Sequence, residues 1–461
     1  MSGCCSVSGN QVVQTKSGCG CGDKENLPPV NNRRLPVAII GGGPVGFAAA
    51  AHLVSKGESF VLFEAAGEVA GNIKQWSHVR LFSPWQYNID KAAKKLLKVH
   101  GWMEPNESEL PTGGELVEQY LNPLSELPLI NPHVHYNAKV IAVSRKGLSK
   151  VKTAGRETLP FVLHVVKDDK RIVFEAKAVI DASGTWSSPN PANSEGIWTD
   201  DELALSKQIT YEIPDVLGKH RERYSGKNVL VVGSGHSAIN ALLDLERLKK
   251  QVPTTNIVWV IRKSNVKDVY GGQENDSLRE RGELGIRLQK LVVSGTVQVF
   301  TSFYIQNFNK EAEQITVTGR SNEDTIRIEG IDEVISNTGS RPDMSFLREV
   351  RTGMDSALES VDALASLIDP NIHSCGTVRP HGEKELRQPE HNFYIVGSKS
   401  YGRAPTFLMA TGYEQVRSIV AALTGDWEAA EKVELELPET GVCSVGTAPS
   451  VGTNANSSCC G

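Results

Sequence analysis

The sequence predicts an α/β fold of two Rossmann-like domains, and three observations predict it. Apolar runs alternate along the chain between short β-branched stretches and helical patterns. Two of those stretches, "LPVAII" and "KNVLVVG", are continuous and rich in Val and Ile, as parallel strands buried on both faces are. Each runs straight into a glycine turn and then a helix of small residues, the two turns lying about 190 residues apart.

Composition bounds the rest. A chain of 461 residues has room for two or three domains, and 39% hydrophobic with 22% charged residues is ordinary for a globular protein. A net charge of −5 gives no electrostatic case for nucleic acid or an anionic membrane as partner. The stretch "LPVAIIGGGPVGFAAAAHLV" is apolar, but its glycine cluster and proline predict strand, turn and helix rather than a membrane span. Residues 1–34 are polar and Gly/Ser-rich without the apolar core of a secretory signal, so the expected compartment is cytoplasmic. They form a disordered, cysteine-containing tail in this reading. Residues 35–215 are expected to carry the first domain, 225–345 the second, and 346–427 a further folded segment. Residues 428–461 make a C-terminal tail that ends in a cysteine pair.

In "VAIIGGGPVGFAAAAHL", Gly41, Gly43 and Gly46 stand in GxGxxG register, with Pro44 opening the helix. The first glycine allows the tight turn, and the second lets the backbone approach a pyrophosphate. The third lets helix and strand pack closely, with the helix N-terminus toward the phosphates. The next strand, "SFVLFEAA", ends in Glu64, 18 residues past Gly46, where an acid can bind both hydroxyls of a ribose. This loop is expected to hold FAD.

In "VLVVGSGHSAINALL", Gly233, Gly235 and Ala238 stand in GxGxxA register around Ser237. Its following strand, "NIVWVIRKS", ends in Arg262 and Lys263 where the first had an acid. An arginine there can accept a 2′-phosphate, so the second nucleotide is expected to be NADPH rather than NADH.

With these residues in place, the chain resembles the two-dinucleotide-binding-domain flavoproteins over roughly residues 35 to 425, which implies that the NADPH domain at 225–345 is inserted into the FAD domain and that 346–427 returns to it. Within them it resembles the flavin-containing monooxygenases, and more distantly the thioredoxin reductase-like pyridine nucleotide oxidoreductases. "AVIDASGTWSSPNPA" is similar to the exit of the first FAD segment, which implies that Ala182, Ser183 and Gly184 lie at the flavin nucleotide. "DEVISNTGSRPD" is similar to the exit of the NADPH domain, with Thr338 and Gly339. "NFYIVGSKSYGRAPTFLMATGYEQVRSIVAAL" resembles the returning FAD strand and its helix, which implies Gly397 beside the ribityl chain and Thr406 near the flavin. Disulfide reductases of this group usually place an aspartate after that last glycine and an internal cysteine pair beside the flavin. Here the position is Ser398 and the body holds no such pair. The monooxygenase fingerprint ahead of the second loop is present only as Gly218 and His220 at a different spacing.

Candidates for chemistry beside the flavin are Trp76, Arg80 and Ser83 in "NIKQWSHVRLFSPWQYN", and Arg403 in "SYGRAPTFLMATG". No metal site is expected in the body, where one Cys and two His in "HSCGTVRPHG" are too few ligands for a structural zinc. Cys4, Cys5, Cys459 and Cys460 are candidate thiols for a soft metal ion, since adjacent cysteines, with Cα atoms about 3.8 Å apart, bridge each other only under strain. Three functions follow. The leading one is an FAD- and NADPH-dependent monooxygenase acting on a small soft nucleophile with molecular oxygen. The second is a reductase that uses the terminal cysteines on a thiol or on a metal such as mercury or arsenic. The third is a non-catalytic nucleotide sensor. The residues do not specify an oligomeric state.

Overall fold

The computed structural model describes residues 35–276, 278–371 and 378–435. Its centre is a five-stranded parallel sheet in the order Phe393–Ile395, Ala178–Asp181, Val37–Ile40, Phe60–Phe63, Val134–His135. Val37–Ile40 is buried along its whole length, which is why it reads as an unbroken apolar run. The Ala-rich helix Pro44–Ser55 leaves the first glycine loop and packs against the helix Met409–Leu423. That pairing brings the N-terminal and C-terminal thirds of the chain into one core. An antiparallel sheet of Ala138–Arg145, Phe161–Lys167 and Lys170–Ala176 adjoins it.

A second parallel sheet runs in the order Val297–Phe300, Asn256–Val260, Asn228–Val232, Glu333–Ser336, Ile209–Thr210. All its strands lie in sequence between Asp181 and Phe393, so the second domain is an insertion into the first, as the family resemblance implies. Alternation along its strands sorts two cores. Val229, Val231, Ile257 and Trp259 share one with the helix His236–Gln251. Leu230, Val232, Val258 and Val260 face the antiparallel sheet of Phe303–Glu311, Gln314–Ser321 and Asp324–Ile331. The edge strands Val134–His135 and Ile209–Thr210 are two residues long and leave no periodic signal.

The two segments that join the sheets run side by side. Pro189 and Ser340 form an antiparallel bridge, flanked by Arg341 N–H donating to Ser188 O and Asn190 N–H to Gly339 O, each at 2.9 Å. No helix among the described residues is long and apolar enough to cross a membrane. Cys4, Cys5, Cys459 and Cys460, and with them Cys375, lie outside the described residues.

Candidate functional site

The first glycine loop is shaped by backbone that approaches too closely for any side chain. Gly41 sits at φ +104°, and a Cβ there would lie 2.6 Å from Ala182 O and 2.8 Å from Ser183 Cα. The loop and the Ala182–Gly184 exit, remote in sequence, are therefore in direct contact. A Cβ on Gly46 would stand 1.9 Å from Gly41 O, which is the close helix–strand packing expected of the third glycine. Gly43 caps the helix with nothing within 4 Å of its Cβ position, and Pro44 follows at the first helical turn. The open side of the loop thus leaves room for a phosphate group at the helix N-terminus.

Glu64 is folded back under this loop. Its Oε2 accepts from Gly42 N–H at 2.7 Å and its Oε1 from Ala66 N–H at 2.8 Å. Burial raises its pKa above the usual carboxylate value, against the pull of those backbone donors. Its remaining lone pairs are what a ribose diol needs.

On the other flank, Gly184 and Gly397 each adopt φ +69°, and Ser398 Oγ comes within 3.4 Å of the Cβ position of Gly184. Beneath them lies a buried cluster that the sequence did not announce. Lys399 Nζ donates to Asp181 Oδ2 at 2.7 Å and to Ser183 Oγ at 3.1 Å, while Ser183 Oγ–H donates to Asp181 Oδ1 at 2.6 Å. Both charged side chains are 0% exposed. Thr406 Oγ1, just ahead of the helix Met409–Leu423, is buried with no protein partner.

The second loop repeats the plan. Gly233 sits at φ +119° with its Cβ position 2.3 Å from Asn337 O, Gly235 is open, and Ala238 is fully buried. Ser237 lies on the first turn of the helix His236–Gln251, half-buried. Asn337 Oδ1, beside this loop, is a second buried acceptor without a protein partner. Thr338 Oγ1 contacts Asn190 O and Pro191 O at 3.0 Å, and Gly339 sits at φ +86°, so both belong to the paired connecting segments. Arg262 and Lys263 are exposed beyond the strand Asn256–Val260, with Lys263 Nζ donating to Asp268 O at 2.7 Å.

Phe82 packs against His236, within the second loop, with the rings tilted by 39° and 5.0 Å between centroids. Burial and the nearby Arg281 push the His236 imidazole down to about 4, so the ring is neutral at physiological pH. Ser83 is buried, donates to Asn88 Oδ1 at 2.9 Å, and lines a small cavity with Tyr87, Leu278, Leu408 and Met409. Phe82, in the stretch after Trp76, therefore meets the second glycine loop, a placement for which periodicity carries no signal.

The remaining candidates have other surroundings. Trp76 packs against Gly113, where a Cβ would lie 2.7 Å from its ring, and faces Trp186 at 6.3 Å. Arg80 is 58% exposed, donates to Leu110 O and lies 3.6 Å from Glu115. Arg403 is exposed.

Two steric cradles closed by paired backbones, each with an open helix N-terminus, fit two dinucleotides. They define a protein with two dinucleotide-type sites. The chain belongs to the pyridine nucleotide-disulphide oxidoreductase family, whose profile matches residues 38–364, and its cofactors are FAD and NADPH. It is 24% identical over 362 residues to a ferredoxin–NADP reductase of Exiguobacterium sibiricum, covering 76% of this chain and 82% of that one. Among solved structures it resembles the bacillithiol disulfide reductase of Bacillus cereus, with TM-score 0.62, 20% identity, and coverage of 85% of this chain and 99% of that one. It also resembles DfoA, the cadaverine monooxygenase of Erwinia amylovora bound to FAD, with TM-score 0.61 and 12% identity over 91% and 99% of the two chains.

Proposed function

We propose that this protein takes a hydride from NADPH and passes the electron pair from FAD directly to molecular oxygen, with transfer of one oxygen atom to a small soft nucleophile such as a thioether. The observation that carries this reading is the cysteine distribution. Between Gly22 and Val442 the chain has Cys375 alone, so no pair of body cysteines can form a redox disulfide beside the flavin. The reaction balances without one. NADPH, a proton, oxygen and the thioether give NADP+, water and the sulfoxide; one oxygen atom goes to sulfur and the other leaves as water.

FAD, when bound, supplies the acceptor for the hydride and the site of reaction with oxygen. The protein's part is to bind and align. In this reading Gly41, Gly43, Pro44 and Gly46 hold the FAD pyrophosphate and Glu64 its ribose. Ala182, Ser183, Gly184 and Gly397 lie along the flavin, with Trp76 against it and Thr406 Oγ1 donating to it. Gly233, Gly235, Ser237 and Ala238 hold NADPH, with Thr338 and Gly339 at the domain exit. Ser83, in the small cavity at the seam, faces the substrate, and the protein works in the cytoplasm.

Arg262 takes the 2′-phosphate, with Lys263 beside it. Arg262→Ala is expected to raise KM for NADPH by about 10- to 100-fold, the loss of one or two charge-assisted hydrogen bonds, and to leave NADH turnover unchanged. Steady-state kinetics with both nucleotides check this.

The decisive assay follows NADPH oxidation with a thioether under oxygen-18 and then under nitrogen. One labelled atom in the sulfoxide per NADPH consumed supports the reading; oxidation with no label in any product removes it. The likeness to ferredoxin–NADP reductases favours a second reading, hand-off to a one-electron protein carrier. That reading expects carrier reduction under nitrogen at the aerobic NADPH rate. The thiol- or metal-linked reductase rests on cysteines outside the described residues.

A further inference from the structure

The turn Gly397–Tyr401 is also held by a ring of hydrogen bonds in which every proton can be assigned. Gly397 N–H donates to Gln415 Oε1 at 2.8 Å, and an amide N–H can only donate, so the Gln415 oxygen must face Gly397. The Gln415 amino group then donates to Ser400 Oγ at 3.0 Å, and Ser400 O–H donates back to Gly397 O at 2.8 Å. The other amino proton points at His381 Nε2, 2.9 Å away. Arg379 O can only accept, so His381 Nδ1 carries the ring proton that it donates at 3.1 Å, and Nε2 is left as the acceptor. His381, Ser400 and Gln415 are all at most 2% exposed, so bulk water does not replace a lost partner.

This ring is satisfied only while His381 is neutral. A proton on Nε2 would set N–H against the Gln415 amino group. Rotating the amide would relieve that contact, but it would turn the amino group toward Gly397 N–H and leave that buried donor unpaired. Burial holds the His381 pKa below its ordinary value of 6.5. The groups facing the ring are Arg379 and Glu385 from its own segment, Glu414 with its partner Arg417 from the helix Met409–Leu423, and the Tyr401 ring at 5.6 Å.

We propose that His381 is a positioning residue for the flavin site: by fixing the Gln415 amide it presents the Gly397 turn to FAD, and its protonation releases that turn. This rests on the assignment of Gly397 to the flavin made above. Within it, His381 and Gln415 touch neither substrate nor cofactor and act through the turn alone.

The test is the FAD dissociation constant of the apoprotein, read from flavin fluorescence at about pH 7.5 and about pH 5. The native chain is expected to bind about tenfold more weakly at the lower pH, the loss of one buried hydrogen bond. His381→Asn, which keeps an acceptor but cannot titrate there, is expected to hold its affinity within about threefold between the two. Gln415→Met, which removes the acceptor at every pH, is expected to bind at neutral pH about as weakly as the native chain does in acid. The proposal is overturned if His381→Asn keeps the native pH profile. It is equally overturned if Gln415→Met lowers the apoprotein melting temperature while FAD affinity stays native, the signature of a merely structural role. Gly397→Ala separates the two levels of the argument. If it leaves FAD affinity unchanged, the placement of Gly397 fails; if it weakens FAD while the other variants do not, only the His381 assignment fails.

Discussion

Gly46→Ala is expected to yield a protein that purifies without flavin. The Cβ it introduces would stand 1.9 Å from Gly41 O, about half a van der Waals contact, and neither partner is a flexible side chain. Gly41 cannot retreat, because its own Cβ position is already 2.6 Å from the backbone of Ala182 and its φ of +104° suits only glycine. The helix or the loop must move, at about 1–3 kcal/mol or more of stability, and the loop that moves is the one proposed to cradle the FAD pyrophosphate. FAD affinity should fall by about 100-fold or more. Gly43→Ala is the contrasting variant. Its Cβ meets nothing within 4 Å and its φ of −90° is allowed, so the apoprotein should melt as the native chain does while FAD binding weakens. Flavin content and apoprotein melting temperature, measured together, check both; a yellow Gly46→Ala protein of native stability would contradict this account of the loop.

Lys399→Met should cost about 3–5 kcal/mol of folding free energy, because it leaves the Asp181 carboxylate buried without its ammonium partner. The carboxylate keeps only Ser183, whose N–H and hydroxyl both donate to Oδ1. The ring of Phe346, 4.4 Å from Lys399 Nζ, would gain a thioether neighbour in place of a cation. The double variant Asp181→Asn/Lys399→Met removes both charges and should recover most of the loss, since a buried ion pair adds little net stability over uncharged groups of similar size. Urea denaturation of the single and double variants measures the difference directly. A single variant as stable as the native chain would show that Asp181 is not confined as its burial indicates.

Much of the site was legible in the sequence because it is written in short-range pattern. A turn that requires glycine at fixed offsets, a strand of continuous Val and Ile before it, and an acid or a base ending the next strand are all local consequences of how a βαβ unit meets a nucleotide. The fold class followed from repeating that unit twice. What stayed hidden has no such period. Arg80 and Arg403 carry the right charge in the right stretches, yet nothing in those stretches foretells their exposure. Phe82 reads as one aromatic among several until it meets His236 across the domain seam.

By itself, then, the sequence determined the two glycine loops, the strand and helix that flank each, and the contrast between Glu64 and Arg262. These depend on residue types and spacings within about 30 positions of one another. Only the tertiary structure decided that Lys399 meets Asp181, 218 residues away, and that Gln415 stands between His381 and Gly397. The physical reason is that a buried polar group must find its partners wherever the folded backbones cross, and the crossing of the returning segment with the first is a property of the whole chain.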